Sequence, residues 1–387
     1  MIGCPSSLIP SRVFFVRSKG EEEAVVRVCS LPLCNGLRQL GIESCTIHPK
    51  QGLPQLHASD CIAFHYNDRE AVAAIRNALS ANPTVICLGS DIYTTSWYVD
   101  LHDIVSYYLV PTDMHRLVLS GILYKPVYTL PESIDQLVAG SHEKIDLSIS
   151  FQKKSSRRVC WFGYVESFDK GMTSLVPVIK NALSTDQISC FTLILDTMNF
   201  YNRWDFGTIE FDLATFPSVM KDFDYVILSH FPLDLKVNSL IKSPNKAITS
   251  LFSGVIPLAS RTPSYEALFT QLGLGHLLFS SPRELANMLS RLDPLAESHI
   301  LQQSKVLEAL GRLFGSSAIT QKFLDHYRQF KLHNDDDISN LPLGIVLSDI
   351  DRIYFSELMK ALGTSGRLAL KNRLQRLMSR GRPNNKG

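Results

Sequence analysis

Short apolar runs and amphipathic stretches alternate along the first 130 residues. The apolar runs have the length of buried strands, and the stretches between them repeat apolar residues at helical spacing. Helices are predicted after Glu21, over 68–79 and from about Thr112, and Pro32 is expected to kink or split the first one. Strands are predicted over 13–16, 44–47, 60–66, 84–88, 104–110 and 126–130. This alternation predicts a parallel sheet that helices cover on both faces.

The alternation resumes after a polar stretch that is rich in Ser and Lys. Strands are then predicted over 159–163, 190–195, 225–229, 255–259 and 277–279, with helices over 172–183, 214–221 and 282–292. Helical material from 297 to about 330 is expected to cross back over the first half of the chain. We therefore predict an α/β protein with two Rossmann-like domains facing across a cleft. The predicted parts are an N-terminal domain (1–136), a linker (137–158), a C-terminal domain (159–330) and a basic helical extension (331–387).

The composition limits the class of protein and the cellular compartment to be considered. A chain of 387 residues suits two domains, and 45% hydrophobic with 20% charged residues is an ordinary globular composition. The eight cysteines include no C-x-x-C pair, which indicates reduced thiols. No apolar stretch has the length of a signal-peptide core or a membrane span, so a cytoplasmic protein is predicted. P-loop, G-x-G-x-x-G, H-E-x-x-H and G-x-S-x-G motifs are absent, as is a Cys/His cluster for a metal.

The end of the chain differs in charge from the rest. From Lys360 onward it carries eight Lys and Arg and no Asp or Glu. Over 367–380, Leu and Met follow one face of a predicted helix and basic residues follow the others. Such a helix fits an anionic membrane surface, which predicts a peripheral membrane protein; it equally fits docking on the protein through its apolar face. Nucleic acid is a less suitable partner, because no aromatic side chains are interleaved with the charges.

A cationic loop leads into a short helix at Lys242, Asn245 and Lys246, and the helix is expected to stop at Gly254 before an apolar strand. This order places backbone N–H groups and a positive helix end where an anion binds. An ordinary helix-to-strand connection has the same pattern. A second loop, with Gly163 closing a strand and Lys170 before a helix, is a candidate phosphate cradle or a turn with a solvated lysine.

These segments resemble the donor-binding motifs of retaining GT-B glycosyltransferases. The family pattern K-x-x-N-[RK]-x-x-E-A-x-x-x-G-x-P is matched in register at Lys242, Asn245, Lys246, Gly254 and Pro257. Thr249 stands where the family has the glutamate that holds the ribose. The pattern G-R-x-x-x-x-x-K-G is matched at Gly163, Lys170 and Gly171, with Tyr164 in place of the arginine.

The first half carries weaker resemblances in the family's order. Leu88-Gly89-Ser90-Asp91 resembles an H-G-x-D turn, and 127–135 resembles the strand and turn before the family's linker, with Pro131 and Asp135 matching. His65 closes a predicted strand, where a cleft-facing imidazole can bind a sugar hydroxyl or shuttle a proton. In the same segment, Asn67 or Asp68 suits a helix cap.

The resemblance implies a glycosyltransferase that moves a sugar from a nucleotide-sugar to a glycan or lipid-linked acceptor. It assigns Lys170 and Lys246 to the diphosphate and Asn245 and Thr249 to phosphate or ribose. It also places Glu266 near the donor, although a surface helix position fits Glu266 equally well. His65, Ser90 and Asp91 would face the acceptor, with His65 and Asp91 as catalytic candidates. It implies no metal and no cofactor, since the nucleotide-sugar is the substrate and the D-x-D sequences at 335–337 and 349–351 lie outside the predicted sheets.

Two alternatives stay open. Because Thr249, Tyr164 and Leu88 replace the family's Glu, Arg and His, the chain is also consistent with a GT-B protein that has lost turnover and serves as a binding or assembly subunit. A sugar-nucleotide epimerase on the same fold would need a carboxylate acid and base in the cleft, and the sequence offers no convincing pair.

Overall fold

The computed structural model describes residues 8–90, 98, 100–121, 123, 125–139, 157–196, 204–230, 237–303 and 305–334. Within these ranges it contains two six-stranded parallel sheets. Most of the predicted linker and the extension beyond 334 lie outside the described residues. No helix in the described ranges is long and apolar enough to span a membrane.

The first sheet has the strand order β2-β1-β3-β4-β5-β6, and every pairing is parallel. The strands are β1 (Arg12–Val16), β2 (Glu43–Ile47), β3 (Cys61–His65), β4 (Thr84–Leu88), β5 (Tyr107–Val110) and β6 (Val127–Thr129). Helices α1 (Leu31–Gln39), α2 (Arg69–Arg76) and α3 (Asp113–Ser120) connect them. Each predicted strand of this half is therefore present, with ends shifted by up to a few residues.

The second sheet has the order β12-β11-β10-β7-β8-β9 and is also parallel. Its strands are β7 (Arg158–Gly163), β8 (Cys190–Leu195), β9 (Gly207–Glu210), β10 (Tyr225–Leu228), β11 (Ile256–Ser260) and β12 (Leu278–Phe279). Its helices are α4 (Gln136–Ala139), α5 (Val165–Met172), α6 (Val176–Ser184), α7 (Phe216–Lys221), α8 (Val237–Ile241), α9 (Asn245–Phe252), α10 (Pro263–Gln271) and α11 (Pro282–Leu289). Three further helices end the described chain: α12 (Pro294–Gln303), α13 (Val306–Phe314) and α14 (Ser316–Asn334).

Strand β9 and helices α4, α8 and α10 of this half were not among the predicted elements, and one predicted helix starts at a different residue. Strand β9 was not predicted because it lies at the sheet edge and is only partly buried, so it lacks an apolar run. Helix α8 is too short to show a helical period. The predicted helix over 172–183 begins earlier, as α5 from Val165, and passes through a short 3₁₀ turn at Thr173–Leu175 into α6.

Alternate residues along the strands of the first sheet point to opposite faces, and each face belongs to a separate hydrophobic core. Phe14 and Val16 pack on one face of β1, whereas Val13 and Phe15 pack on the other. Both faces are therefore buried, which explains why the strands are apolar runs without alternation. Helix α14 covers the second of these faces with Ile319, Phe323 and other apolar side chains, so the chain returns from the second domain onto the first.

The chain crosses between the two domains twice within a small region. Leu130 belongs to a core of the first sheet, whereas Ile134 belongs to the core of the second. On the return, Phe314 packs against the second core and Ile319 lies in the first. Near this return Ser316 Oγ donates to the Pro32 carbonyl at 2.7 Å, which fixes the start of α14 against α1.

Pro32 does not end the first helix, which runs on through it, but a π-helical turn stands directly before α1. The chain forms a π-helical turn at Val26–Ser30 and continues as α1 from Leu31. Proline has no N–H, so Pro32 cannot donate to the carbonyl of Val28 four residues earlier. That carbonyl instead accepts a hydrogen bond of 2.8 Å from the backbone N–H of Ser133, in the connection between the domains.

Candidate functional site

Helix α9 begins beside the carboxyl ends of strands in the second sheet. Pro244 precedes it, and the N–H of Asn245 donates to Ser243 Oγ at 3.3 Å. Gly254 follows the helix with a φ of +73°, a left-handed conformation that suits glycine, and β11 starts two residues later. The predicted order of cationic loop, helix, glycine and strand is thus present in the structure.

Lys246, in the first turn of α9, reaches the end of β7. Its Nζ donates to the Phe162 carbonyl at 2.7 Å and lies 4.8 Å from the centroid of the Trp161 ring. Gly163 makes room for it, because a Cβ at position 163 would stand 2.5 Å from Nζ. Gly163 of the predicted phosphate turn and Lys246 of the predicted donor helix are therefore in direct contact.

The Lys246 ammonium is held in an environment that disfavours its charge. Burial, and after it the nearby charge of Lys242, lower its pKa to about 7. An anion bound at this point would reverse both effects, since it would supply the opposite charge that the site lacks. The Lys246 ammonium is therefore held against a carbonyl and an aromatic ring, largely out of water.

His230 joins this cluster, although it was not among the residues predicted from the sequence. It follows β10 by two residues, its N–H donates to Ser260 Oγ at 3.0 Å, and its ring stacks on Tyr265 with centroids 6.0 Å apart. Burial, then Lys246 and Lys242, lower its pKa to about 3, so the imidazole is neutral at neutral pH. The sequence does carry a signal for it: a histidine immediately beyond a buried strand lies at the ligand-binding edge of a parallel sheet.

The first domain contributes a second neutral imidazole. His115, in α3, is fully buried, and neither of its ring nitrogens has a hydrogen-bond partner among the described residues. Burial lowers its pKa to about 3, and the charge of Lys242 acts in the same direction. Thr112 Oγ1 donates to the Ile241 carbonyl at 3.0 Å, which brings α3 of one domain onto α8 of the other.

The charge of Lys242 acts on three other basic side chains near the meeting of the domains, and we call the four the basic cluster: His115, Lys242, His230 and Lys246. The electrostatic effects that shift the pKa values of His115, His230 and Lys246 all come from cations. The cluster therefore has the polarity for a phosphate or diphosphate group. Among the described residues no group of His, Cys, Asp and Glu could hold a metal ion.

Asn245 and Thr249 bond to each other, and Asn245 also bonds to the connection between the domains. Thr249 Oγ1 donates to Asn245 Oδ1 at 3.1 Å, and Asn245 Nδ2 donates to the Ser133 carbonyl at 3.2 Å. Thr249 is only 4% exposed. Both side chains therefore form these hydrogen bonds within the protein, and the one from Asn245 goes to the connection between the domains.

The remaining donor candidates lie around the basic cluster or on the surface. Tyr164 is 55% exposed and immediately precedes α5, next to Gly163. Lys170 is exposed in the last turn of α5 rather than ahead of the helix, and a Cβ on Gly171 would overlap the Ser229 carbonyl. Glu266 pairs with Arg261 at 2.9 Å on the surface of α10, which matches the surface alternative given for it.

The acceptor-side candidates are only partly described. His65 is 3% exposed, and its Nε2 lies 2.9 Å from Ser30 Oγ, so the ring packs between β3 and the first helix instead of facing a cleft. Burial lowers its pKa to about 4. Asp68 caps α2 by accepting from the Ala71 N–H at 3.0 Å. Ser90 follows β4 and is partly buried, and Asp91 lies outside the described residues.

The fold matches solved structures, although no protein-family model and no curated protein matches the sequence. An O-GlcNAc transferase of Thermobaculum terrenum, in a mutant form, is 10% identical with a TM-score of 0.54, over 84% of this chain and 68% of that one. Sucrose-phosphate synthase of Thermosynechococcus elongatus is 12% identical with a TM-score of 0.54, over 83% of this chain and 99% of that one. The chain therefore has the GT-B fold of two Rossmann-like domains, as predicted.

Proposed function

We propose that this protein is a glycosyltransferase that moves a sugar from a nucleotide-sugar donor to a glycan or lipid-linked acceptor. The observation that carries the proposal is the basic cluster at the meeting of two Rossmann-like domains, with Lys246 held under the Gly163 turn. The structures that share the fold include a GlcNAc transferase and a sucrose-phosphate synthase, which supports the same class of reaction.

In this proposal the basic cluster holds the diphosphate of the donor. Lys246 and Lys242 neutralise the charge that develops on the diphosphate as the bond to the sugar breaks. The neutral imidazole of His230, which is partly exposed, supplies a hydrogen bond without adding charge, and buried His115 lines the site from the first domain. Tyr164, exposed at the mouth of the Gly163 turn, offers a ring or a hydroxyl to the nucleotide. Lys170, Ser90 and Asp91 remain proposed contacts of the donor and acceptor sides, and no metal is required.

Calorimetric titration of UDP- and GDP-sugars tests the donor site. Wild-type protein is expected to bind one of them, and Lys246→Met is expected to weaken that binding by roughly tenfold or more, because a charge-assisted hydrogen bond is lost. Lys180→Met is the matched control, since Lys180 is exposed on α6. Absence of binding by any nucleotide-sugar at millimolar concentration, or equal losses in both variants, would reject the proposal.

We propose further that the basic extension holds the protein at an anionic membrane surface, where the acceptor is lipid-linked. Each basic residue near such a surface contributes about 1 kcal/mol, and the apolar side chains predicted over 367–380 add to this. A chain shortened to end at Lys360 is expected to keep its circular dichroism and melting temperature but no longer to sediment with anionic liposomes at low salt. Equal sedimentation of both chains, or unfolding of the shortened one, would assign 367–380 to the protein's own packing.

A second candidate is a GT-B protein that binds or assembles without turnover. It is favoured by the position of Thr249, which is buried and bonded to Asn245 instead of being available to a ribose. Tyr164→Arg discriminates best, because position 164 is exposed and accepts the larger side chain. A gain in nucleotide-sugar affinity on this change supports loss of function in the native chain, whereas a decrease supports a specialised active site.

A further inference from the structure

Ser133 lies at the point where the chain passes from one domain to the other. Its neighbours in sequence belong to different cores, Leu130 to the first sheet and Ile134 to the second. Ser133 itself is 2% exposed. Its polar atoms are therefore removed from water and need partners within the protein.

Each polar atom of Ser133 bonds to a different part of the molecule. Its N–H donates to the Val28 carbonyl at 2.8 Å, in the first domain. Its hydroxyl donates to the Phe314 carbonyl at 3.1 Å, at the return crossing of the chain. Its carbonyl accepts from Asn245 Nδ2 at 3.2 Å, at the start of α9. The Phe314 carbonyl also accepts from the Ile134 N–H at 3.0 Å, so the two crossings are tied to each other.

The orientation of the Asn245 amide is fixed by its two contacts. The Ser133 carbonyl can only accept, so it requires the amide nitrogen of Asn245 on its side. The amide oxygen then lies on the other side, where Thr249 Oγ1 donates to it at 3.1 Å. Ser133 therefore selects the orientation of the amide, and Thr249 supports it.

We propose that Asn245 is a positioning residue that fixes the donor helix α9 to the crossing between the domains. Through Ser133 the helix is joined to the first domain and to the return crossing at the same time. A displacement of α9 on anion binding at Lys246, the next residue, is then transmitted to the relative orientation of the two domains. This assigns Asn245 and Thr249 to domain coupling instead of direct ligand contact, and its ligand-dependent part rests on the proposed function.

Amide hydrogen exchange of the ligand-free protein tests the link itself. In Asn245→Ala and in Thr249→Val, exchange of the peptides covering 131–137 and 306–319 is expected to accelerate by roughly fivefold, the effect of one lost hydrogen bond. Thr249→Ser keeps the hydroxyl and is expected to exchange like wild type. Lys246→Met is a control from the same helix turn that leaves the amide intact. If Asn245→Ala fails to fold, the Thr249→Val and Thr249→Ser pair decides.

Acceleration confined to peptides of α9 would overturn the proposal, because Asn245 would then stabilise only its own helix. Small-angle scattering adds a second readout: Asn245→Ala and Thr249→Val are expected to increase the radius of gyration, and Thr249→Ser is not. An unchanged radius in all variants together with unchanged exchange at 131–137 would also overturn it.

Inorganic pyrophosphate is the probe for the coupling to the ligand. In wild type it is expected to slow exchange at α9 and also at 131–137 and 306–319, whereas in Asn245→Ala only α9 is expected to respond. Protection confined to α9 in wild type would overturn the transmission. If pyrophosphate does not bind, the anion site of the proposed function fails, and the ligand-free comparison still decides whether Asn245 holds the crossing.

Discussion

Gly163 and Lys246 depend on each other although 83 residues separate them in the chain. Gly163 has a φ of +145°, a region that other residues rarely adopt, and its missing side chain leaves the space in which the Lys246 ammonium lies. The lysine in turn bonds to the Phe162 carbonyl, at the residue before the turn. The two positions therefore share one functional constraint, which is the placement of a cation at the carboxyl end of β7.

Gly163→Ala is expected to displace Lys246 as well as strain the backbone. The strain alone costs on the order of 1–3 kcal/mol of unfolding free energy. Gly273→Ala is the matched control, because Gly273 also has a positive φ, +71°, but a Cβ at position 273 would have no neighbouring atom within 4 Å. Denaturant unfolding is expected to show a loss of stability in both variants, larger in Gly163→Ala, whereas only Gly163→Ala weakens nucleotide-sugar binding. Equal affinities in the two variants would contradict the link to Lys246.

The pKa of Lys246 gives the binding site a pH dependence. At pH values below about 7 the ammonium is already charged, so anion affinity is constant there; above about 7 binding must recruit a proton, and affinity falls with rising pH. A diphosphate diester such as UDP-glucose does not titrate in this range, so the slope belongs to the protein. Titration calorimetry at about pH 6 and about pH 8.5 measures it, and Lys246→Met is expected to flatten the profile. A flat wild-type profile would contradict this role for Lys246.

The same shift has the opposite sign for folding stability. The pKa of Lys246 in the folded protein, about 7, is below its ordinary value of 10.5, so the unfolded chain binds more protons between these values. The contribution of Lys246 therefore becomes less destabilising as pH rises from about 7 toward 10.5. A lysine kept in such a position lowers stability at neutral pH, which is consistent with selection for binding.

At the scale of elements, the π-helical turn before α1 and the connection after β6 hold each other. Within the turn, the Val28 carbonyl accepts a hydrogen bond from the Ser133 N–H. The turn also places Arg27 beside Asp135, with 3.0 Å between Nε and Oδ1. Arg27 Nη1 also donates to the Glu21 and Glu22 carbonyls. The ion pair is buried, with side chains 8% and 7% exposed, and it fixes the start of α4 relative to the first helix.

Arg27→Met is expected to cost about 3–5 kcal/mol of unfolding free energy, because it leaves the Asp135 carboxylate buried without its cation. Arg76→Met is the control: the pair of Arg76 and Asp103 is exposed, at 47% and 64%, and such pairs contribute about 0–1 kcal/mol. Urea unfolding followed by circular dichroism measures both. Similar small losses in the two variants would show that water reaches Asp135 and that the pair is not a structural link.

At the scale of the whole molecule, the last described helix stabilises the first domain. Helix α14 follows the second domain in the chain, yet its apolar face completes a core of the first sheet. A Cβ on Gly36 would overlap the Thr320 side chain, so α1 and α14 are in close contact along this face. The two domains therefore share stabilising contacts through both crossings, and we expect them to unfold together.

Phe323→Ala is expected to reduce the unfolding free energy by about 3–5 kcal/mol, since Phe323 is fully buried. Leu332→Ala, on the same helix but 57% exposed, is expected to change it by less than about 0.5 kcal/mol. Hydrogen exchange of the peptide covering β4 locates the effect, which is expected in the first domain. Faster exchange confined to α14 would mean that the helix docks without supporting the sheet.

The local pattern of the sequence determined the architecture. Apolar runs with period two or without alternation identify buried parallel strands, and amphipathic stretches between them identify the covering helices, because both signals depend only on which faces are removed from water. Gly254 likewise marked the end of α9, and Pro32 a change in the helical hydrogen bonds, because each follows from that residue's own conformational limits. The edge strand β9 was not predicted, because a strand that stays partly exposed has few apolar residues to identify it.

The direction of each polar side chain was decided only by the tertiary structure. Asn245 and His65 sit in the predicted elements, yet their hydrogen bonds go to Ser133 and Ser30, partners that the fold brings together. His115 and His230 become parts of one cluster because α3 meets α8 and because β10 ends beside α9. The pKa of Lys246 is likewise a property of its surroundings, since burial and a neighbouring cation arise only after the chain has crossed between domains. The spacing of residues along the chain determines which face of a helix or strand each one occupies. Its hydrogen-bond partners and its pKa depend on residues far away in sequence, which only the tertiary structure brings close.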